Sequence, residues 1–213
     1  RVIFSLVICL LPSFQVFNAW SVCFPFVTSI LLAGWSYSAL IRLRGIKGVI
    51  LSALLITLSF AIYQPTAMCF LFFAFMDTCL TSRKVDKKEL IRTFLMIFFG
   101  MLMALILAKV IPLLLFGETL SRSNITLDLM GKIKWFFVEP LKNAICNFVT
   151  GRKALSVIIS LLFIFIGLKK ISGNGKEKVI LSLLFAVAAV TPNLLVTESW
   201  AAYRTISALS LIT

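Results

Sequence analysis

The strongest constraint on this chain is a series of apolar runs, with nearly all its charges confined to the stretches between them. Val22–Ile41 carries no charged residue, and Thr93–Phe116 carries one, Lys109. A helical crossing of a bilayer needs about 20 mostly apolar residues. In lipid every backbone N–H and C=O must be satisfied internally, so runs of this length read as helices. Composition agrees: 61% of the residues are hydrophobic and 14% charged, against about 45–50% and about 25% in soluble domains. A soluble globular domain is excluded. Over 213 residues, roughly seven or eight crossings would fit. The expected fold is an all-α polytopic integral membrane protein, with residues 1–213 as a single transmembrane domain.

The predicted crossings are Val2–Phe17 (with Pro12 and Gln15), Val22–Ile41, two short ones within Val49–Leu80, then Thr93–Phe116, Ala154–Leu168 and Val179–Val196. Asn18-Ala19-Trp20-Ser21 is a tight turn after the first, with Trp20 suited to the lipid–water boundary. Tyr63-Gln64-Pro65 breaks the long apolar stretch, because proline disfavours helix at the residue before it and brings no N–H. Pro112 is a kink point, and Pro192 lies near the far end of its crossing. The chain begins at Arg1 and ends inside the apolar run 206–212. A terminus there would strand backbone groups in lipid, so the sequence is expected to be a fragment of a longer protein, incomplete at both ends.

Orientation follows from Lys and Arg. Arg42–Gly48, Thr81–Arg92 and Lys169–Lys178 hold 12 basic residues in 29 positions, whereas Gly117–Lys153 holds 6 in 37. The basic side is expected to be cytoplasmic. Tyr63-Gln64, Gly117–Lys153 and Thr197–Arg204 then face outward. The net charge of +13 is explained by this bias, with no need of nucleic acid. Within the outward loop 117–153, Ile133, Phe136, Phe137, Leu141, Ala144, Ile145 and Phe148 recur at helical spacing, and Lys132, Lys134, Glu139, Lys142 and Asn143 take the other positions. This predicts an amphipathic helix, bent before Pro140 and with Trp135 near its edge, lying in the membrane interface. A loop helix packed on its own protein is the alternative.

The chain has no His, which removes imidazole metal sites and Ser-His-Asp triads. Its five Cys (Cys9, Cys23, Cys69, Cys79, Cys146) form no CxxC pair and read as small apolar filler. No cofactor or metal site is identified. Candidate functional groups are therefore charged and polar residues at membrane depth or at the outer boundary. Lys109 lies about two turns from the outer end of its helix; it either serves the site or snorkels to the headgroups. Asp77, near Arg83 and Lys84, reads as a boundary residue. Glu198, Trp200, Tyr203 and Arg204 open the last apolar run, and Trp200 and Arg204 share a face if that stretch is helical. Arginine suits phosphate because its planar fork donates to two oxygens and stays charged; the alternative is an ordinary interfacial belt. Gln64 and Tyr63, at the hairpin tip, offer neutral hydrogen-bonding groups or a helix cap. Glu118, Asp128 and Glu139 are further outward carboxylates, and Asn124-Ile125-Thr126 fits a glycosylation acceptor pattern by chance-level matching.

Three stretches resemble the bacterial glucosyl transferase family of Gtr type II. Ala61-Ile62-Tyr63-Gln64-Pro65 is similar to the family's YQ hairpin. Lys134-Trp135-Phe136-Phe137-Val138-Glu139-Pro140-Leu141-Lys142-Asn143-Ala144 resembles its outer amphipathic segment. Thr191-Pro192, followed by Tyr203-Arg204 and an apolar run, is similar to its proline-then-arginine pattern. The resemblance implies a GT-C-like helical bundle in the bacterial cytoplasmic (inner) membrane, with its site on the outer face. It also implies a polyprenyl-phosphate-linked sugar donor, commonly glucose, and a glycan acceptor such as O-antigen. Tyr63, Gln64, Lys109, Glu198, Tyr203 and Arg204 become the candidate substrate-binding residues. The family's catalytic acid is expected in the first outer loop near the full-length N-terminus. Asn18–Ser21 holds no carboxylate, so the catalytic residue stays unassigned. The competing reading is a multi-span transporter or lipid-linked glycan flippase. It predicts polar groups spread along a path through the bilayer, whereas here they gather at the outer end. A non-catalytic membrane scaffold, which predicts no such clustering, is a third reading.

Overall fold

The computed structural model describes residues 8–10, 12–19, 23–43, 45–81, 84–117, 126–145, 154–173 and 175–213. Trp20, Ser21, Arg83, Glu118, Asn124, Ile125, Cys146 and Phe148 lie outside the described residues. The described residues are helical, without a β-strand: α1 (Pro12–Ala19), α2 (Phe24–Arg42), α3 (Ile46–Ile62), α4 (Gln64–Ala67), α5 (Cys69–Cys79), α6 (Lys87–Phe116), α7 (Leu129–Val138), α8 (Pro140–Ile145), α9 (Ala154–Ser172), α10 (Lys176–Ala188), α11 (Thr191–Leu195) and α12 (Ser207–Ile212). A 3₁₀ turn, Tyr203–Thr205, precedes α12. Two of these helices, α2 and α6, are long and apolar enough to cross a membrane, and α3 is an apolar helix of 17 residues.

Small residues set how α2 meets α3. The buried face of α2 is Ser29, Ala33, Ser36, Ala39 and Leu40, and that of α3 is Gly48, Ser52, Ile56, Ser59 and Phe60. Side chains this short let two backbones approach, and their hydroxyls then bond across the interface. Ser36 and Ser52 hydroxyls lie 2.9 Å apart, and Ser29 and Ser59 hydroxyls 3.0 Å apart. Each also reaches a carbonyl across the seam: Ser36 donates to Ser52 O at 2.9 Å and Ser59 to Ser29 O at 2.7 Å. Along the Ile56–Phe60 edge of that same face, Gly100 of α6 provides the close approach. A Cβ there would stand 2.9 Å from Ile56 and 3.1 Å from Phe60.

The core sits on α5. Met68, Cys69, Phe70 and Leu71 are at most 1% exposed, so this segment is an interior element surrounded by protein rather than a lipid-facing span. Phe75 of α5 and Phe94 of α6 both pack on Phe185 of α10, the latter pair stacked at 5.4 Å. In contrast, Leu95, Phe98 and Leu114 of α6 and Phe163 and Phe165 of α9 are each more than 60% exposed. Bare apolar surface of this extent is foreign to a water-soluble monomer.

Several predicted boundaries move, each for a local reason. The break at Tyr63 is present, but α6 starts at Lys87 instead of Thr93. Asp86 caps it by accepting the Lys88 N–H at 2.9 Å, and Glu89 adds negative charge to the first turn. Pro112 is buried inside an unbroken α6, which stops at Gly117 in the left-handed conformation, φ 73°. The expected crossing Val179–Val196 ends at Ala188. Pro192 opens α11, where its missing N–H costs nothing. Thr191 donates to Ala188 O at 2.8 Å and secures the corner. Asn18 and Ala19, read as a turn, continue α1.

The polar segments gather at two ends of the bundle. At one end, the Lys178 ammonium donates to Thr81 O, and Leu40 and Ile41 of α2 face Asp86, Lys88, Glu89 and Arg92 across a chamber. The basic loops thus meet there. At the other end stand the Tyr63 turn, α7, α8, α11 and the segment 196–205.

Candidate functional site

Tyr63 is held from several directions. It leaves the helical conformation (φ −161°, ψ 113°) because Pro65 starts the next turn. Its carbonyl accepts the Ala67 N–H at 3.1 Å and lies 3.0 Å from the Thr66 hydroxyl and 3.3 Å from the Ser29 hydroxyl. Its ring stacks on Phe26, with centroids 4.0 Å apart and planes at 17°. The turn that follows Tyr63 packs against the 3₁₀ turn carrying Arg204, close enough for the guanidinium to act on the phenol. Burial pushes the Tyr63 phenol up to about 12, with Arg204 opposing the rise. Tyr63 is therefore a neutral donor at physiological pH and not a base.

Arg204 also lies 5.4 Å over the Trp200 ring. The sequence expectation of a shared helix face is corrected here. Residues 196–202 are not helical, and the contact forms through the 3₁₀ turn. Thr205 builds that turn: its hydroxyl oxygen accepts the Ala202 N–H at 2.9 Å and lies 2.9 Å from Trp200 O. Local hydroxyl–backbone bonds of this kind compete with helix formation.

The segment carrying Arg204 is fastened by residues that sequence reading assigned otherwise or passed over. Lys132 was expected on the polar face of the amphipathic helix. Instead it is 6% exposed. Its ammonium faces Glu198 O at 2.8 Å, Ser199 Oγ at 3.0 Å, Thr197 O at 3.2 Å and Asn193 O at 3.5 Å. The Trp135 ring lies 5.0 Å away. Burial pulls Lys132 below the ordinary lysine range, with Asp128 opposing. Asn143 donates to Ala201 O at 3.2 Å, and Asn193 to Thr205 O at 3.0 Å. The legible signal was a row at four-residue spacing: Lys132, Phe136, Pro140 and Ala144 are all buried. The predicted bend is present, since α7 ends at Val138 and α8 begins at Pro140. The helix packs on its own protein along this row, while Met130, Ile133 and Phe137 remain exposed.

Gln64 lines a cavity of about 70 Å³ with Phe60, Met101, Leu105, Pro192, Leu195 and Val196. Lys109 is exposed, one helical turn beyond Leu105 toward the same end. Tyr203 is half-buried on the turn, and the Glu198 side chain is exposed beside the lysine clamp. The turns carrying Tyr63 and Arg204 thus pack together, Gln64 follows Tyr63 in the chain, and Lys109 stands on a separate helix. Other candidates have structural partners. Asp128 accepts the Gly131 N–H at 2.9 Å as the α7 cap, and Glu139 accepts the Trp135 indole N–H at 2.9 Å. Asp77 accepts from the Tyr37 hydroxyl at 3.0 Å at the opposite end.

The family model described as glucosyl transferase GtrII matches residues 2–213. No curated protein and no solved structure matches the chain significantly. The expected family resemblance is thereby borne out over the whole described bundle, and glycosyl transfer stands over the transporter reading. By that match, joining the hairpin, α7, α8 and the arginine turn in one model, the chain belongs to the GtrII glucosyl transferase family.

Proposed function

We propose that this protein is a multi-pass, GT-C-type enzyme of the bacterial cytoplasmic membrane. It moves glucose from a polyprenyl-phosphate donor to a surface glycan such as O-antigen on the outer side. The observation that carries the reading is the packing of the Tyr63–Gln64 turn against the turn that holds Arg204. It presents a permanent cation and a neutral O–H donor together, at the bundle end opposite the basic loops. In the transfer, an acceptor hydroxyl attacks the anomeric carbon as its proton passes to a base. The bond from that carbon to the phosphate oxygen breaks, and polyprenyl phosphate leaves. Arg204 and Tyr63 donate to the phosphate oxygens, where negative charge grows. Gln64 and Tyr203 bond sugar hydroxyls, Glu198 borders the acceptor side, and Lys109 adds positive charge where the donor enters from lipid. The exposed apolar faces of α6 and α9 and the Met130–Ile133–Phe137 stripe support membrane residence, with α7 lying at the outer interface.

The test is transfer of labelled glucose from polyprenyl phosphate to glycan by the full-length protein in detergent, where no sealed compartment exists. Arg204→Ala is expected to lower kcat by about 10²- to 10³-fold, the usual cost of losing one donor to the developing oxyanion. Unchanged transfer by a well-folded Arg204→Ala protein would overturn the assignment.

A further inference from the structure

On the far side of the bundle from Arg204, α3 and α6 leave an open groove of about 720 Å³. Its walls include Ile50, Ala53, Leu95 and Leu102, and its polar lining comes from Lys88 and Arg92. The same two cations line an adjoining chamber of about 300 Å³ with Asp86 and Glu89. The two spaces therefore form one amphiphilic site with an apolar trough and a charged mouth. From Arg92 to Leu102 the trough follows α6 for about 15 Å at the helical rise, half of a hydrocarbon core about 30 Å thick. The trough is thus one leaflet deep, with its cations at headgroup level.

We propose that this groove is a binding site for one glycerophospholipid of the leaflet on the basic-loop side. An acyl chain lies between α3 and α6, and the phosphate is held by Lys88 and Arg92. Asp86 and Glu89 at the mouth repel a purely anionic headgroup and favour one that also carries an ammonium, such as phosphoethanolamine. A helix of another protein would fill the trough equally well but would bring no phosphate to Lys88 and Arg92. The inference rests on the membrane-crossing part of the reading above and is independent of glycosyl transfer.

Native mass spectrometry of the full-length protein, released from detergent after equilibration with defined phosphatidylethanolamine or phosphatidylglycerol, tests it. One phosphatidylethanolamine is expected to stay bound where loosely held lipid is stripped. Lys88→Gln with Arg92→Gln should weaken it about thirtyfold, at roughly a decade and a half for two surface cations. Ala53→Trp, which fills the trough and keeps both cations, should also evict the lipid. Equal retention by both variants, preference for phosphatidylglycerol, or a second copy of the chain in place of lipid would overturn the proposal. Arg204→Ala should keep the lipid while losing transfer, which separates this site from the outer one.

Discussion

Replacing Lys132 by Met keeps an unbranched stem of similar length and removes only the ammonium that fastens the Arg204 segment. An ammonium has three N–H groups, and its three nearest acceptors stand at 2.8, 3.0 and 3.2 Å. Each bond to a charged group contributes about 1.5–3 kcal/mol, but burying the ammonium costs several kcal/mol. The acceptors belong to the exposed residues Thr197, Glu198 and Ser199, so water can take them over once the clamp is gone. The net loss in docking of this segment is expected at about 1.5–3 kcal/mol, a ten- to hundredfold rise in its open population. Hydrogen exchange of the full-length protein reads this directly. The Thr205 N–H, bonded to Ala202 O, and the Leu194 N–H, bonded to Val190 O, should exchange faster by about the same factor. Exchange should be unaltered in α5, which the clamp does not touch. Unchanged protection across 193–205 in Lys132→Met would show that the ammonium does not hold the segment. Lys132→Arg should restore only part of the protection, because a planar fork does not fit oxygens converging on one nitrogen.

Further outcomes are expected. Tyr63 holds its proton more tightly when folded, to about 12 against 10.0 for the free side chain. Stability should therefore fall as pH rises through that window and be unaffected below it; Tyr63→Phe should flatten this part of a Tm-versus-pH profile, and Arg204→Gln should raise the Tyr63 value further. Gly100→Val should cost about 1–3 kcal/mol by overpacking, since even a Cβ meets Ile56 and Phe60 at 2.9 and 3.1 Å. Ser29→Ala should cost only about 0.6 kcal/mol, typical of an interhelical bond in a membrane protein, and denaturant titration in detergent ranks the two. Lys109→Met should lower glucose transfer with little change in stability, because Lys109 is exposed; full transfer would return it to a snorkelling role.

The alternation of apolar runs with charged loops determined by itself that this chain is helical, where its main breaks fall and which segments share an end. Lipid-length runs and Pro65 act through local chemistry, so they are legible without a fold. The family was legible in the same way, through short stretches around Tyr63, Pro140 and Arg204. Only tertiary structure decided which helix is interior. The residues of α5 are no more apolar than those of α3, where Leu54 and Leu58 stay exposed, and burial depends on the neighbours that surround a helix rather than on its own side chains. The same holds for Lys132. A lysine at helical spacing reads as solvated until another segment supplies four oxygens around its nitrogen. The Arg204–Trp200 contact was anticipated for a helical reason and arises instead from a turn that Thr205 closes. Periodicity reports what a residue can face along its own helix, and only the packed chain brings distant carbonyls and phenols to it.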